Sequence, residues 1–168
     1  MVCPDPCYAR GMKKLLLFSS ALAIVAGVVL VAGGVWAGMF TYQSVAQEKI
    51  VTPSDAWLPN VPVRGPFTLL SQADAIRMHT LHATGEKTYA QMPMQVLKLD
   101  DKGKPVLDKQ GKPVMVTNEA RNMWVTATTL ITALHLGVIT YLFAGLVTLF
   151  GLISLWTGVV FAAMSKRF

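Results

Sequence analysis

The chain has 168 residues, 53% of them apolar and 14% charged, with a formal net charge of +6 and a mean hydropathy of +0.47. Soluble globular chains are about 25% charged, so this composition excludes a disordered polypeptide and argues against a purely soluble enzyme. The apolar residues fall in two runs, 15–42 and 125–164, while the 79 residues from 43 to 121 hold 10 of the 15 basic and 8 of the 9 acidic residues. That division predicts a two-helix transmembrane hairpin carrying a small extracytoplasmic α+β loop domain.

Residues 1–14 read as a cytoplasmic tail. Its Cys3 and Cys7 cannot hold zinc unaided, since zinc takes four ligands, and a reducing cytoplasm disfavours a disulfide. Met12-Lys13-Lys14-Leu15 is itself a typical beginning for a membrane anchor, so residues 1–11 are either part of the tail or an extension ahead of the true start at Met12.

A bilayer core of about 30 Å needs roughly 20 apolar helical residues. Residues 15–42 carry no charge and span it with room for tilt. The run exceeds the roughly 7–15 residues of a signal-peptide core, so it is read as a retained anchor, although Ser44-Val45-Ala46 has some likeness to a cleavage site. Trp36, Phe40 and Tyr42 suit an outer aromatic belt. At about 100° per residue, Ser20, Ala23, Gly27, Gly34 and Gly38 share an arc of about 60°, a small-residue stripe of the kind that lets helices approach closely in lipid.

Within the loop, Pro53, Pro59, Pro62 and Pro66 mark an extended connector. Ser71-Gln72-Ala73-Asp74 has the shape of a capping box and opens a helix over about 71–84, ended by Gly85, with Leu69, Ile76, His79 and Ala83 as its docking face. Gly103-Lys104-Pro105-Val106 recurs eight residues later as Gly111-Lys112-Pro113-Val114. This duplication reads as a β-ribbon over about 94–117, three short strands joined by glycine turns. Neither copy is a phosphate-binding loop, which needs Gly-x4-Gly-Lys-Ser/Thr, so its lysines are read as a solvated face.

The second span lies in a long helix over about 122–164, followed by the tail 165–168. The apolar run 125–164, about 60 Å of helix, exceeds the bilayer, so its outer part must stand outside. Arg121, Thr128, Thr132 and His135 fall within about 60° of one another and form a candidate partner face, because polar groups near hydrocarbon need protein or water to meet them. On the inner part Ala144, Gly151, Ser154, Gly158 and Ala162 share an arc of about 80°. Two small-residue stripes in one chain favour an antiparallel hairpin over a dimer built on one stripe. Arg10, Lys13 and Lys14 before the first span, and Lys166 and Arg167 after the second, place both termini in the cytoplasm of a multi-pass inner (plasma) membrane protein, with the loop outside.

Several separated blocks carry a resemblance: Glu48-Lys49-Ile50, Val63-Arg64-Gly65-Pro66-Phe67-Thr68, Gln72-Ala73-Asp74-Ala75-Ile76, His79, Ala83-Thr84-Gly85, Lys87-Thr88-Tyr89-Ala90 and Ala120-Arg121-Asn122. Together they resemble a group of small two-span bacterial envelope proteins often labelled "aromatic ring-opening dioxygenase", a group with no established activity. The likeness covers residues 48–92 and the start of the second span. Relative to that group, residues 95–116 look like an insertion.

The dioxygenase label can be weighed on the residues. A non-haem iron site takes two histidines and a carboxylate, and His79, His82 and Glu86 are the candidate set. The helix carrying them is short and extracytoplasmic, with little around it to enclose an aromatic substrate. The expectation is therefore a non-enzymatic membrane protein without metal or cofactor, acting as an accessory subunit of a membrane or envelope complex. Its expected partners are the bilayer and another membrane protein or a second copy, not nucleic acid. The alternatives are a metal-dependent enzyme at His79 and His82, or an extracytoplasmic ligand-sensing module.

Overall fold

The computed structural model describes residues 6–167, with side chains from Arg10 onward; Cys3 and the side chain of Cys7 lie outside the described residues. In chain order the elements are α1 (Pro6–Gln47), α2 (Pro66–Ala83), a 3₁₀ turn (Tyr89–Gln91), β1 (Gln95–Leu97), β2 (Met115–Thr117) and α3 (Glu119–Ser165). They form two compact units, one from the chain up to Glu48 together with Gly137 onward, the other Lys49–Leu136. α3 contributes its first part to the second unit and the rest to the first.

In the helical unit α1 and the later part of α3 run antiparallel. Both α1 (from Arg10) and α3 are long and apolar enough to cross a membrane, with mean hydropathies of 2.7 and 2.2 over their best stretches, of which 11% and 17% is buried within the chain. What they bury against each other is small. Ser20, Gly27, Gly34 and Thr41 on α1, and Ala144, Gly151, Gly158 and Ser165 on α3, are buried at a strict spacing of seven. A seven-residue repeat keeps a stripe on its partner when the helices coil left-handedly. A Cβ on Gly27 would lie 2.8 Å from the Gly151 carbonyl oxygen and 2.8 Å from the Leu155 nitrogen, and one on Gly151 would lie 2.7 Å from the Val31 nitrogen. Gly34 abuts Ala144 and Thr148, and Gly158 abuts Ile24. Close approach lets hydroxyls reach across: Ser20 Oγ donates to the Gly158 carbonyl at 2.8 Å, and Ser154 Oγ to the Ala23 carbonyl at 2.9 Å. Gly38 has no heavy atom within 4 Å of a built Cβ, and Ala162 is half-buried. On the outer surface Trp36 stacks on Phe40 with ring centroids 5.7 Å apart.

The loop unit is knotted at Thr52, which is 1% exposed. Its N–H donates to the Val61 carbonyl at 3.0 Å, while its hydroxyl donates to the Leu58 carbonyl and accepts from the Val61 N–H at 3.0 Å. The proline-rich stretch is thus a closed loop, bridged at Val51 and Pro62, and its Leu58 N–H donates to Ser71 Oγ at 3.1 Å. That bond recasts Ser71, which is buried inside α2 and caps nothing. The helix starts at Pro66, five residues before the expected 71. Pro66 occupies its first turn, where no N–H is needed, and Thr68 Oγ1 accepts from the N–H groups of Arg64 and Gly65, each at 3.0 Å. Its buried stripe is Leu69, Ala73 and Thr80, with Ile76 half-buried, whereas His79 and Ala83 are exposed.

Beyond α2, Thr84 closes the helix, and its hydroxyl donates to the Thr80 and Lys87 carbonyls, each at 2.8 Å. Trp124 of α3, 5% exposed, donates its indole N–H to the Lys87 carbonyl at 2.7 Å and to Thr84 Oγ1 at 3.1 Å. Asn118 fixes the other approach to α3. Its Oδ1 accepts from the Ala120 N–H, its Nδ2 donates to the Pro93 carbonyl and its N–H donates to the Met94 carbonyl, so α3 starts at Glu119 instead of the expected 122.

The ribbon differs from three strands in a row. β1 and β2 pair antiparallel, with Gln95 opposite Thr117 and Leu97 opposite Met115. Between them the chain makes two small hairpins, bridged at Leu99–Pro105 and at Leu107–Pro113. The three ladders meet in a ring of backbone bonds: Lys98 N–H to Val114 O, Val114 N–H to Val106 O, and Val106 N–H to Lys98 O, each 2.8 Å. Each hairpin closes alike. Oδ1 of Asp100 accepts from the N–H groups of Lys102 and Lys104, and Oδ1 of Asp108 from those of Gln110 and Lys112, with Gly103 and Gly111 at φ +73° and +75°. The duplicated unit is therefore Leu-Asp-x-x-Gly-Lys-Pro. Its prolines stand opposite Leu99 and Leu107 at positions between hydrogen-bonded pairs, where a missing N–H costs nothing.

Candidate functional site

The histidines on α2 diverge. His79 Nε2 lies 2.7 Å from Asp55 Oδ2, in the proline-rich loop, and His82 Nδ1 lies 3.2 Å from Glu86 Oε1, one turn on. All four side chains are more than half exposed. The His79 hydrogen bond, helped by a backbone bond within Asp55, holds the Asp55 carboxyl below its ordinary range. Glu86 adopts φ +61° just past the helix, so it meets His82 but not His79. Among the described residues no three His, Cys, Asp or Glu side chains come together as metal ligands would.

The first part of α3 carries a more developed feature. A groove of about 690 Å³ runs along it, lined by Val125, Thr128, Thr129, Thr132, Ala133 and Leu136, with Tyr89 from the 3₁₀ turn. The helix period gathers these residues onto one side, since Val125, Thr128, Thr129, Thr132 and Leu136 follow three- and four-residue steps. The turn that delivers Tyr89 is held by the Thr88 N–H donating to Gln91 Oε1 at 2.8 Å and by the Trp124 bond to Lys87. At the groove's head the Arg121 guanidinium carbon lies 4.1 Å from the centre of the Tyr89 ring. Such cation–π contacts contribute about 0.5–1 kcal/mol at exposed sites and more when desolvated. Arg121 Nε is buried and bonds no described residue.

Of the four residues assigned to the partner face, the structure puts Thr128 and Thr132 in the groove and Arg121 against Tyr89 at its head. His135 is exposed and is not among the lining residues. The threonines divide by bonding. Thr126 and Thr129 turn their hydroxyls back to the Asn122 and Val125 carbonyls, whereas those of Thr128 and Thr132 make no hydrogen bond to a described residue. Sequence reasoning missed Tyr89 and Trp124. An aromatic residue in a short loop gives no sign of which helix it meets, though a Trp three residues after Arg121 was available as a hint of a buried face.

No protein-family model matches the chain, and no curated protein or solved structure does so.

Proposed function

We propose that the protein is a two-span membrane protein that works by contact and not by catalysis, as an accessory subunit of a membrane or envelope complex. In this reading α1 and the later part of α3 form the membrane hairpin, both termini are cytoplasmic, and residues 49–136 are extracytoplasmic. Supporting the spans, both helices leave almost nine-tenths and more than four-fifths of their most apolar stretches unburied within the chain. Water would not tolerate so much bare Leu, Val and Phe, and lipid does. Supporting the orientation, the lysines and arginines at 10, 13, 14, 166 and 167 flank the same side of the hairpin.

The observation that carries the contact reading is the groove, with two unbonded hydroxyls on a mainly apolar wall. A second polypeptide supplying an apolar side and a few acceptors fits it, in the manner of a helix laid into a groove. Cysteines introduced at Thr128 and Thr132 are expected to crosslink to a second polypeptide in native membranes, while a pair at Ala23 and Ser154, which face each other across the helices and already carry a Cβ, gives the intramolecular hairpin. Tags at either terminus are expected to resist protease in intact cells, and one in 102–112 to be cut. Monomer alone from Thr128 and Thr132, with both positions freely labelled from water, would refute the accessory reading.

A further inference from the structure

The ribbon's pairing fixes which way each backbone group points. In an antiparallel ladder, residues in hydrogen-bonded pairs aim N–H and C=O at the partner strand, and those in the alternate pairs aim them away. The bonds of Lys98, Val106, Val114 and Asn118 make the even-numbered residues the inward ones. Gln95 and Leu97, opposite Thr117 and Met115, therefore point outward, and so does Leu99, opposite Pro105. Each of the three segments, 94–100, 104–108 and 112–118, has one open edge. On the second and third, Pro105 and Pro113 remove a donor from the outer row, leaving Leu107 alone on one and Met115 with Thr117 on the other. On the first, Gln95, Leu97 and Leu99 keep their N–H and C=O groups in an unbroken row, with no partner among the described residues.

Proline on an edge keeps other strands from adding to a sheet. Here it guards two edges and is absent from the third. All three residues of that third edge are exposed, Leu97 and Leu99 by 45% and 55%. Such an edge is completed by an extended polypeptide whose own N–H and C=O groups meet it in register. The segment 95–99 is itself such a polypeptide. Turned about a two-fold axis at Leu97, it sets Leu97 against its copy, Gln95 against Leu99, and Val96 against Lys98. The pairs 95–99, 97–97 and 99–95 would exchange two backbone bonds each. No lysine stands directly opposite another, the arrangement that destabilises paired strands.

We propose that residues 95–99 pair antiparallel with the same segment of a second copy, joining two ribbons into one sheet across a two-fold axis. A contact of this kind is isologous and closes on itself. The edges left after pairing are the ones that Pro105 and Pro113 guard, so the sheet does not grow further and the product is a dimer instead of a fibre. The pairing goes beyond the accessory-subunit reading. It uses no residue of the α3 groove and holds whether or not the long helices lie in lipid.

The test uses the full chain in detergent with Cys3→Ser and Cys7→Ser. A hydrogen-bonded pair holds its Cα atoms about 5.5 Å apart, within the roughly 4.4–6.8 Å that a disulfide spans. Leu97→Cys is therefore expected to give a disulfide-linked dimer on mild oxidation. Gln95→Cys alone is not, because its mate stands four residues out of register, about 13 Å away; mixed with Leu99→Cys it is expected to give the 95–99 product. Without crosslinks, light scattering is expected to give a dimer mass for the parent. Leu97→Pro deletes an N–H that bonds nothing within the chain and should weaken dimerisation about tenfold or more, since two bonds across the axis are lost. Leu107→Pro, on a guarded edge, should leave dimerisation unchanged. Hydrogen exchange at Lys98, Val106 and Val114 checks that either proline leaves the ribbon closed; where it does not, the cysteine register decides alone. The proposal is overturned by a monomer mass at every concentration, by equal crosslinking at 95 and 97, or by a dimer that Leu97→Pro leaves undiminished with those amides protected. A dimer linked through Thr128→Cys or Thr132→Cys and not through Leu97→Cys overturns it too, and leaves the groove reading standing.

Discussion

Trp124→Phe tests whether the indole N–H, and not only the bulk of the ring, clasps the C-terminal end of α2 to α3. The exchange keeps a flat ring and deletes the donor to the Lys87 carbonyl at 2.7 Å and to Thr84 Oγ1 at 3.1 Å. A hydrogen bond of this kind contributes about 0.5–1.5 kcal/mol net. The Lys87 carbonyl keeps the Thr84 hydroxyl as a donor at 2.8 Å, so the full penalty for an orphaned acceptor does not apply. The smaller ring leaves a gap in a site where Trp124 is 5% exposed, adding roughly 1 kcal/mol by the volume dependence of core truncations. The sum is about 2 kcal/mol, and Trp124→Ala should cost about 3–5 kcal/mol. Hydrogen exchange by mass spectrometry on the full chain in detergent reads this directly. Amides of the segment 80–92 should exchange about thirtyfold faster in Trp124→Phe if they open with that element, and α1 amides should not change. Exchange over 80–92 within twofold of the parent would refute the clasp and leave Tyr89 positioned by something else.

Two further outcomes follow from particular distances. Gly27→Ala puts a methyl against the Gly151 carbonyl and the Leu155 nitrogen, at a cost of about 1–3 kcal/mol against roughly 1 kcal/mol gained in helix propensity. Gly33→Ala meets nothing within 4 Å and keeps only the gain. Hairpin unfolding in mixed micelles should therefore rank Gly33→Ala at or above the parent, with Gly27→Ala below both. Asp55 has its pKa held below the ordinary carboxylate range by the His79 hydrogen bond first and a backbone bond second. A depressed carboxyl contributes stability that is present above the unfolded value and lost as pH falls through the folded one. The contribution should be constant near neutrality and disappear only below about pH 4. In an NMR titration the Asp55 midpoint should rise in His79→Gln, and an unchanged midpoint would show that the hydrogen bond is not its cause.

The parts legible in the sequence were those with a local cause. Charge-free runs, the loop's confinement of charge and the small-residue stripes need only hydropathy and the helix period, and Gly27, Gly34, Gly151 and Gly158 lie where α1 and α3 come closest. Where local signals compete, the sequence alone does not say which one prevails. Ser71-Gln72-Ala73-Asp74 has the form of a cap, but Gly65-Pro66 with Thr68 supplies one six residues earlier, and Pro66 belongs to the helix and not to the connector before it. Ser71 could not be assigned correctly without the Leu58 N–H, thirteen residues away in sequence. The partner face shows the same limit. Helical arithmetic groups Thr128 and Thr132 correctly, yet a groove needs a second wall, and Tyr89 comes from a turn whose place is fixed by Trp124.

The ribbon shows most clearly what periodicity can and cannot give. A period of eight was visible in Gly-Lys-Pro-Val, and glycine turns followed from it. The repeating unit, however, begins earlier, at Leu99-Asp100 and Leu107-Asp108, because the carboxylate that closes each turn precedes the glycine by three residues. Once Asp and Gly close a hairpin of fixed length, Leu and Pro must stand opposite each other, and the proline needs no N–H there. Repeating the unit next to itself forces Lys98, Val106 and Val114 to share one ring of backbone bonds, since each offers one donor and one acceptor to a different neighbour. The same closure puts Leu99, Pro105, Leu107 and Pro113 on the face opposite those three residues, where β1 and β2 add Leu97 and Met115. Duplication of a turn thus creates an exposed apolar face that a single copy would lack.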